Sequence, residues 1–136
     1  MQVVHQPLKS SGCGIATVAC LTGISYEESL RLAKEVLWPE ETRKRFYTTS
    51  NDLRKLLKVL GVKTSPKKVT TSWDEVSNLA IAAIRLHRNG NWHWVTFERD
   101  ADGARVYDSN PQAFFGMPRT DFGRMKLEWY IPVIRS

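Results

Sequence analysis

The spacing of apolar residues changes halfway along the chain. In the first half it is helical. Ile15, Val18, Ala19 and Thr22 share one side of a helix predicted from Cys13 or Gly14 to Leu21. Thr22-Gly23 stops it, since glycine suits the left-handed position after a helix end. Ser25 and Glu28 form a capping-box pattern ahead of Tyr26, Leu30, Ala33 and Leu37, and Pro39 ends this second helix. A third helix is predicted behind a Ser50 or Asn51 cap. Leu53, Leu56, Leu57 and Leu60 make its stripe, and Gly61 closes it.

The second half is strand-like. VKTSPKKVTTS reads as extended and WDEVSN as one helical turn. LAIAAIRLH is almost continuously apolar, as a strand buried on both faces would be. RNGN is a hairpin turn. WHWVTFER then alternates, with Trp92, Trp94 and Thr96 on one face and His93, Val95 and Phe97 on the other. DADG is a second turn and ARVYD a further strand. A long loop with two prolines leads to a last strand, KLEWYIPVI, where Pro132 suggests an edge or a strand end. Helices followed by an antiparallel meander predict an α+β fold, with the helices packed on one side of the sheet.

The chain has 136 residues, 42% of them hydrophobic. That suits one domain over residues 1–136 with one core, and such a domain folds without a disulfide or a metal. No apolar run is long enough for a membrane span. The first residues, MQVVHQPLKSSG, lack the basic-then-apolar layout of a signal peptide, so a cytoplasmic, reducing setting is the default expectation. Secretion by a signal-less route and excision from a longer chain both stay open. The two cysteines, Cys13 and Cys20, would lie about 10 Å apart on one helix, beyond disulfide reach.

The net charge is +6. Arg43, Lys44, Arg45, Arg54, Lys55, Lys58, Lys63, Lys67 and Lys68 face only Glu40, Glu41 and Asp52 in their region. This is either an anion-binding surface or a solvated basic face, and the second is the commoner meaning of such runs. Nucleic acid is therefore not the expected partner.

Cys20 lies inside an apolar run, where packing cysteines belong. Cys13 instead stands between two glycines at a helix mouth. Helix N-termini favour the thiolate, the nucleophilic form, and the glycines would let a substrate backbone approach. His93 shares the inward face of its strand with Val95 and Phe97. A hairpin around the DADG turn whose partners sum to about 203 sets His93 opposite Asn110, with Asp108 one side-chain layer away on the same face. Nucleophile, base and orienter then follow in the order Cys13, His93, Asp108. Each has a plainer reading: a structural helix-start cysteine, a core histidine bonded to a carbonyl, and a turn-forming aspartate in DSNP.

The stretch QPLKSSGCGIATVACLTG, with HWVTF and VYDSNP further on, resembles papain-like cysteine peptidases. It is most similar to the compact branch that removes double-glycine leader peptides from bacteriocins, and to its stand-alone relatives. The matching positions are Gln6, Cys13, Gly14, Ala16, His93, Asp108 and Pro111. The resemblance spans most of the chain. It implies a papain-like fold in which Cys13 is the nucleophile, His93 the general base and acid, and Asp108 the orienter of His93. Gln6 and the Cys13 N–H would form the oxyanion hole. The step from Gln6 to Cys13 is one residue longer than the common pattern, and a bulge at LKSSG would absorb it. Asn110 is the alternative third member, because papain uses an asparagine.

The activity so implied is a thiol hydrolase cleaving a peptide or protein through an acyl-thioester. One alternative is a deamidase, transamidase or deconjugating enzyme of toxin or effector type. A second is a non-enzymatic basic binding module. No cofactor is expected, and the chain has no paired Cys or His spacing of a metal site. His5 reads as a solvated or capping residue and His87 as a strand-end surface residue. Trp92, Trp94 and Trp129 either line a groove or pack, and packing is the commoner fate. The oligomeric state is open.

Overall fold

Capping chemistry places each helix. The computed structural model describes residues 1–7, 12–39, 47–85, 92–110 and 117–134. Among these residues three helices come first: α1 (Cys13–Thr22), α2 (Tyr26–Val36) and α3 (Ser50–Val59). α1 ends on Gly23 at φ 79°, whose N–H returns to the Ala19 carbonyl. The Ser25 oxygen accepts from the Glu28 N–H at 3.1 Å and caps α2. α3 starts one residue earlier than its pattern suggests. Thr49, not Ser50 or Asn51, is the cap, because Asp52 lies three residues beyond it and completes a reciprocal pair of bonds at 2.9 and 3.1 Å.

Six strands follow among the described residues: β1 (Lys63–Thr64), β2 (Lys68–Val69), β3 (Leu79–Arg85), β4 (Trp92–Asp100), β5 (Gly103–Tyr107) and β6 (Leu127–Ile134). They form an antiparallel sheet in the order β1-β6-β3-β4-β5, with β2 also paired to β6. β3 is apolar from Leu79 to Ile84 because both of its faces are covered there. Leu79, Ile81 and Ala83 pack under the helices with Ile15, Val18, Leu53, Trp94 and Ile131. Ala80, Ala82 and Ile84 face the other way, towards Val95, Phe97, Val106, Met125 and Leu127. Two single 3-10 turns, Trp73–Glu75 and Phe122–Arg124, close that second face. Trp73 stacks on Phe97 at 5.6 Å and meets Phe122 at 5.2 Å. The chain is thus α+β, with its helices on one side of an antiparallel sheet.

β6 departs from the sequence pattern. It does not extend the meander beyond β5 but crosses back to lie between β3 and the short pair β1 and β2. Pro132 therefore marks no outer edge. Its carbonyl accepts from the Ser65 N–H at 3.0 Å, so its own missing N–H faces the break between β1 and β2, where no ladder bond is lost.

The β4–β5 hairpin keeps the register that the DADG turn predicts, from Thr96 opposite Tyr107 to Asp100 opposite Gly103. Gly103 takes φ 114°, and the Asp102 N–H donates to the Asp100 carboxylate at 2.9 Å. The RNGN turn lies outside the described residues. Among the described residues no helix is long and apolar enough to cross a membrane.

Candidate active site

The strand register brings three polar side chains to one face. His93 lies two residues before Val95 on β4. Asp108 follows Tyr107 directly and lies two residues beyond Val106. Arg119 pairs with Val106 along the outer edge of β5, through N···O bonds of 2.9 and 2.7 Å. Side chains two residues apart, or directly paired, share a face. The three accordingly converge. His93 Nε2 lies 2.7 Å from Asp108 Oδ1, and Arg119 Nη1 lies 2.7 Å from Asp108 Oδ2. The pair is buried, with His93 9% and Asp108 5% exposed, and Arg119 is half-buried beside it.

Cys13 reaches this place from the helix layer. β5 pairs with β4 only as far as Thr96, so the Trp94 carbonyl has no strand partner on that side. α1 takes it instead. The Thr17 hydroxyl lies 3.3 Å from the Trp94 carbonyl and 2.7 Å from the Cys13 carbonyl, one turn back. That bridge ties the mouth of α1 to the residue next to His93. Cys13 is half-buried there and lies against the imidazole, whose proton affinity it affects.

The glycines beside Cys13 have a different purpose from the one their sequence suggests. A Cβ on Gly12 would stand 2.0 Å from the Tyr26 hydroxyl, and one on Gly14 would stand 2.0 Å from Thr48 Oγ1. They admit the protein's own side chains rather than clear a path for a substrate. Close packing of α1 on α2 and on the start of α3 demands them.

Electrostatics bind the set together. Burial works against a charged imidazole. The hydrogen bond to Asp108, the contact with Cys13 and the charges of both outweigh it and push His93 up to about 10. Burial likewise opposes a charged Asp108. The His93 hydrogen bond and charge, the Asn110 N–H at 2.9 Å and Arg119 prevail and hold its carboxyl down at about 2. At neutral pH the carboxylate is therefore ionised and the imidazole protonated. Arg119 is raised further above its ordinary range, first by its bonds to Asp121 and then by Asp108.

Gln6 is anchored beside the site. Its N–H donates to the Ser109 carbonyl at 2.9 Å, and its Oε1 accepts from the Ser109 hydroxyl at 2.7 Å. The N-terminal segment is thus fastened to the residue that follows Asp108. The LKSSG bulge between Gln6 and Cys13 lies, apart from Gly12, outside the described residues. Asn110 joins through its backbone N–H, on the same Asp108 oxygen that meets His93.

The remaining candidates fall elsewhere. His5 is exposed, and His87 and Pro111 lie outside the described residues. Trp94 and Trp129 pack in the helix-side core, on the face opposite His93, and Trp92 meets both edge-on. Cys20 is 6% exposed, and its thiol donates to the Gln2 carbonyl at 3.1 Å. Burial pushes it up to about 11, which keeps it protonated. Of the basic segment, Arg54, Lys55, Lys58 and Lys63 line a groove of about 650 Å³ between α3 and β1. Lys67 lies over Trp129 at 4.9 Å, and Arg43, Lys44 and Arg45 lie outside the described residues.

Arg119 escaped the sequence reading. It belongs to a proline-containing loop, and its bridge to Val106 brings it to the site. The one local signal is the RTD triplet, an arginine two residues from an aspartate it later holds.

No family model and no curated protein matches the chain.

Proposed function

We propose that the protein is a thiol hydrolase of papain-like type, acting as a cysteine peptidase on a peptide or protein substrate. The observation that carries this is the buried His93–Asp108 pair at 2.7 Å, standing against a cysteine at a helix N-terminus. Asp108 holds Nε2, which leaves Nδ1 to exchange a proton with the Cys13 thiol. In the proposed reaction His93 starts protonated, and the Cys13 sulfur attacks the scissile carbonyl carbon as the thiolate. The carbonyl electron pair moves to oxygen, where the Cys13 N–H and the Gln6 side-chain amide would receive it. Collapse expels the amine, which takes the proton from His93, and leaves an acyl-thioester on Cys13. Water then adds, giving its proton to His93. The carbon–sulfur bond breaks, the acid leaves, and the sulfur returns as the thiolate beside the protonated His93.

Reactivity can be read without a substrate. The expected outcome is that iodoacetamide labels Cys13 at neutral pH much faster than it labels a small model thiol, while Cys20 reacts only after unfolding. Peptide mapping by mass spectrometry separates the two, with Cys13→Ser as the blank. A wild-type rate equal to the model thiol's would remove the proposal. Peptides carrying a Gly-Gly step are the first substrates to try, with release of a fragment read by mass and absent in Cys13→Ala.

A further inference from the structure

Asp108 is held from two sides, and only one of them belongs to the proposed triad. We propose that Arg119 is a positioning residue of this site, fixing the Asp108 carboxylate from the side opposite His93 so that its other oxygen stays on the ring. Arg119's role rests on the thiol-hydrolase reading above. The geometry is that of a clamp. Nη1 takes Asp108 Oδ2 at 2.7 Å, while Nε and Nη2 take the two oxygens of Asp121 at 2.9 and 2.8 Å. The Arg119 backbone is fastened to Val106 by two hydrogen bonds, and its side chain is only 14% exposed. A guanidinium gripped on three nitrogens cannot turn away.

The consequence for chemistry is specific. A carboxylate that meets a histidine through one oxygen can rotate about its own bond and lose the ring. With Oδ2 pinned, Oδ1 has one place to go, and His93 keeps the orientation that presents Nδ1 to Cys13. The positive charge also keeps Asp108 ionised in a buried setting, where it would otherwise take a proton more readily.

The test compares the wild type with Arg119→Gln, Arg119→Lys and Asp121→Asn, by the rate of Cys13 alkylation from about pH 1.5 to pH 9. Near-ultraviolet circular dichroism confirms the fold of each. Arg119→Gln is expected to slow labelling at neutral pH about tenfold, the scale typical of outer-shell partners. It should also move the acid limb of the profile upward by about one pH unit, as a carboxylate losing an arginine would. Arg119→Lys keeps the charge but not the fork, and should restore the acid limb and leave the rate about threefold low. Asp121→Asn loosens the grip without touching Asp108 and should fall between the wild type and Arg119→Gln.

A purely structural arginine would lower the melting temperature without moving the acid limb. A folded Arg119→Gln with wild-type rate and limb overturns the proposal. If Arg119→Gln does not fold, wild-type rates in both Arg119→Lys and Asp121→Asn overturn it instead. A wild type no faster than a free thiol removes the hydrolase reading together with this one. A fast wild type with an unchanged Arg119→Gln removes this one alone.

Discussion

The Thr17 hydroxyl meets the Trp94 carbonyl at 3.3 Å, at the point where β4 has lost β5 as a neighbour. One side chain of α1 thus stands in for a strand. Its removal leaves a buried carbonyl unpaired and loosens the seam between Cys13 and His93. Thr17→Val should cost about 1–2 kcal/mol in stability, read from the denaturant midpoint, and should slow Cys13 alkylation. Thr17→Ser keeps the hydroxyl and should label at the wild-type rate. Equal rates in Val and Ser variants would show that the bridge has no part in placing the thiol.

Gln6 offers a separation of two chemistries. Alkylation of a thiol builds no oxyanion, whereas peptide cleavage does. Gln6→Ala should therefore label with iodoacetamide at close to the wild-type rate. Its turnover of a cleaved peptide should fall by about 10²–10³, as when an oxyanion-hole donor is lost. Equal losses in both assays would make Gln6 a support for the Ser109 segment rather than a donor to the reaction.

The buried pair predicts a pH window for stability. His93 is raised from its ordinary 6.5 to about 10, so its contribution is complete below pH 6.5 and is lost as pH rises towards 10. Asp108 is lowered from 3.8 to about 2, so its contribution is complete above pH 3.8 and is lost as pH falls towards 2. Cys20, pushed up to about 11, adds a loss of its own above pH 9. The informative quantity is thus the difference between the wild type and His93→Gln, by urea midpoints from pH 5 to pH 10. That difference should shrink steadily above pH 6.5. A constant difference would mean that His93 titrates no differently in the folded and unfolded chains.

Local chemistry was legible in the sequence, and distant placement was not. α2 and the β4–β5 hairpin carry their own instructions: Ser25 with Glu28, and a DADG turn that sets Asp108 on the face of His93. α3 carries them too, although Thr49 rather than Ser50 starts it, because a cap is chosen by its acidic partner three residues on. Nothing in a period of two says which strand β6 will join, so its return to β3 stayed hidden. The Gly12 and Gly14 contacts depend on how Tyr26 and Thr48 dock, which no local pattern encodes. Arg119 was invisible for the same reason, since its role begins only when a loop closes on Val106.

The two glycines have a practical consequence for anyone mapping the site by mutation. An alanine scan through residues 12–14 would score as damaging at both glycines for steric reasons, and only the middle position would test the proposed chemistry. At Gly12 and Gly14 the added methyl would strike Tyr26 and Thr48, so lost activity there would record a displaced helix. Variants that probe Cys13 are therefore better placed away from its own neighbours in the chain, which have no room to vary.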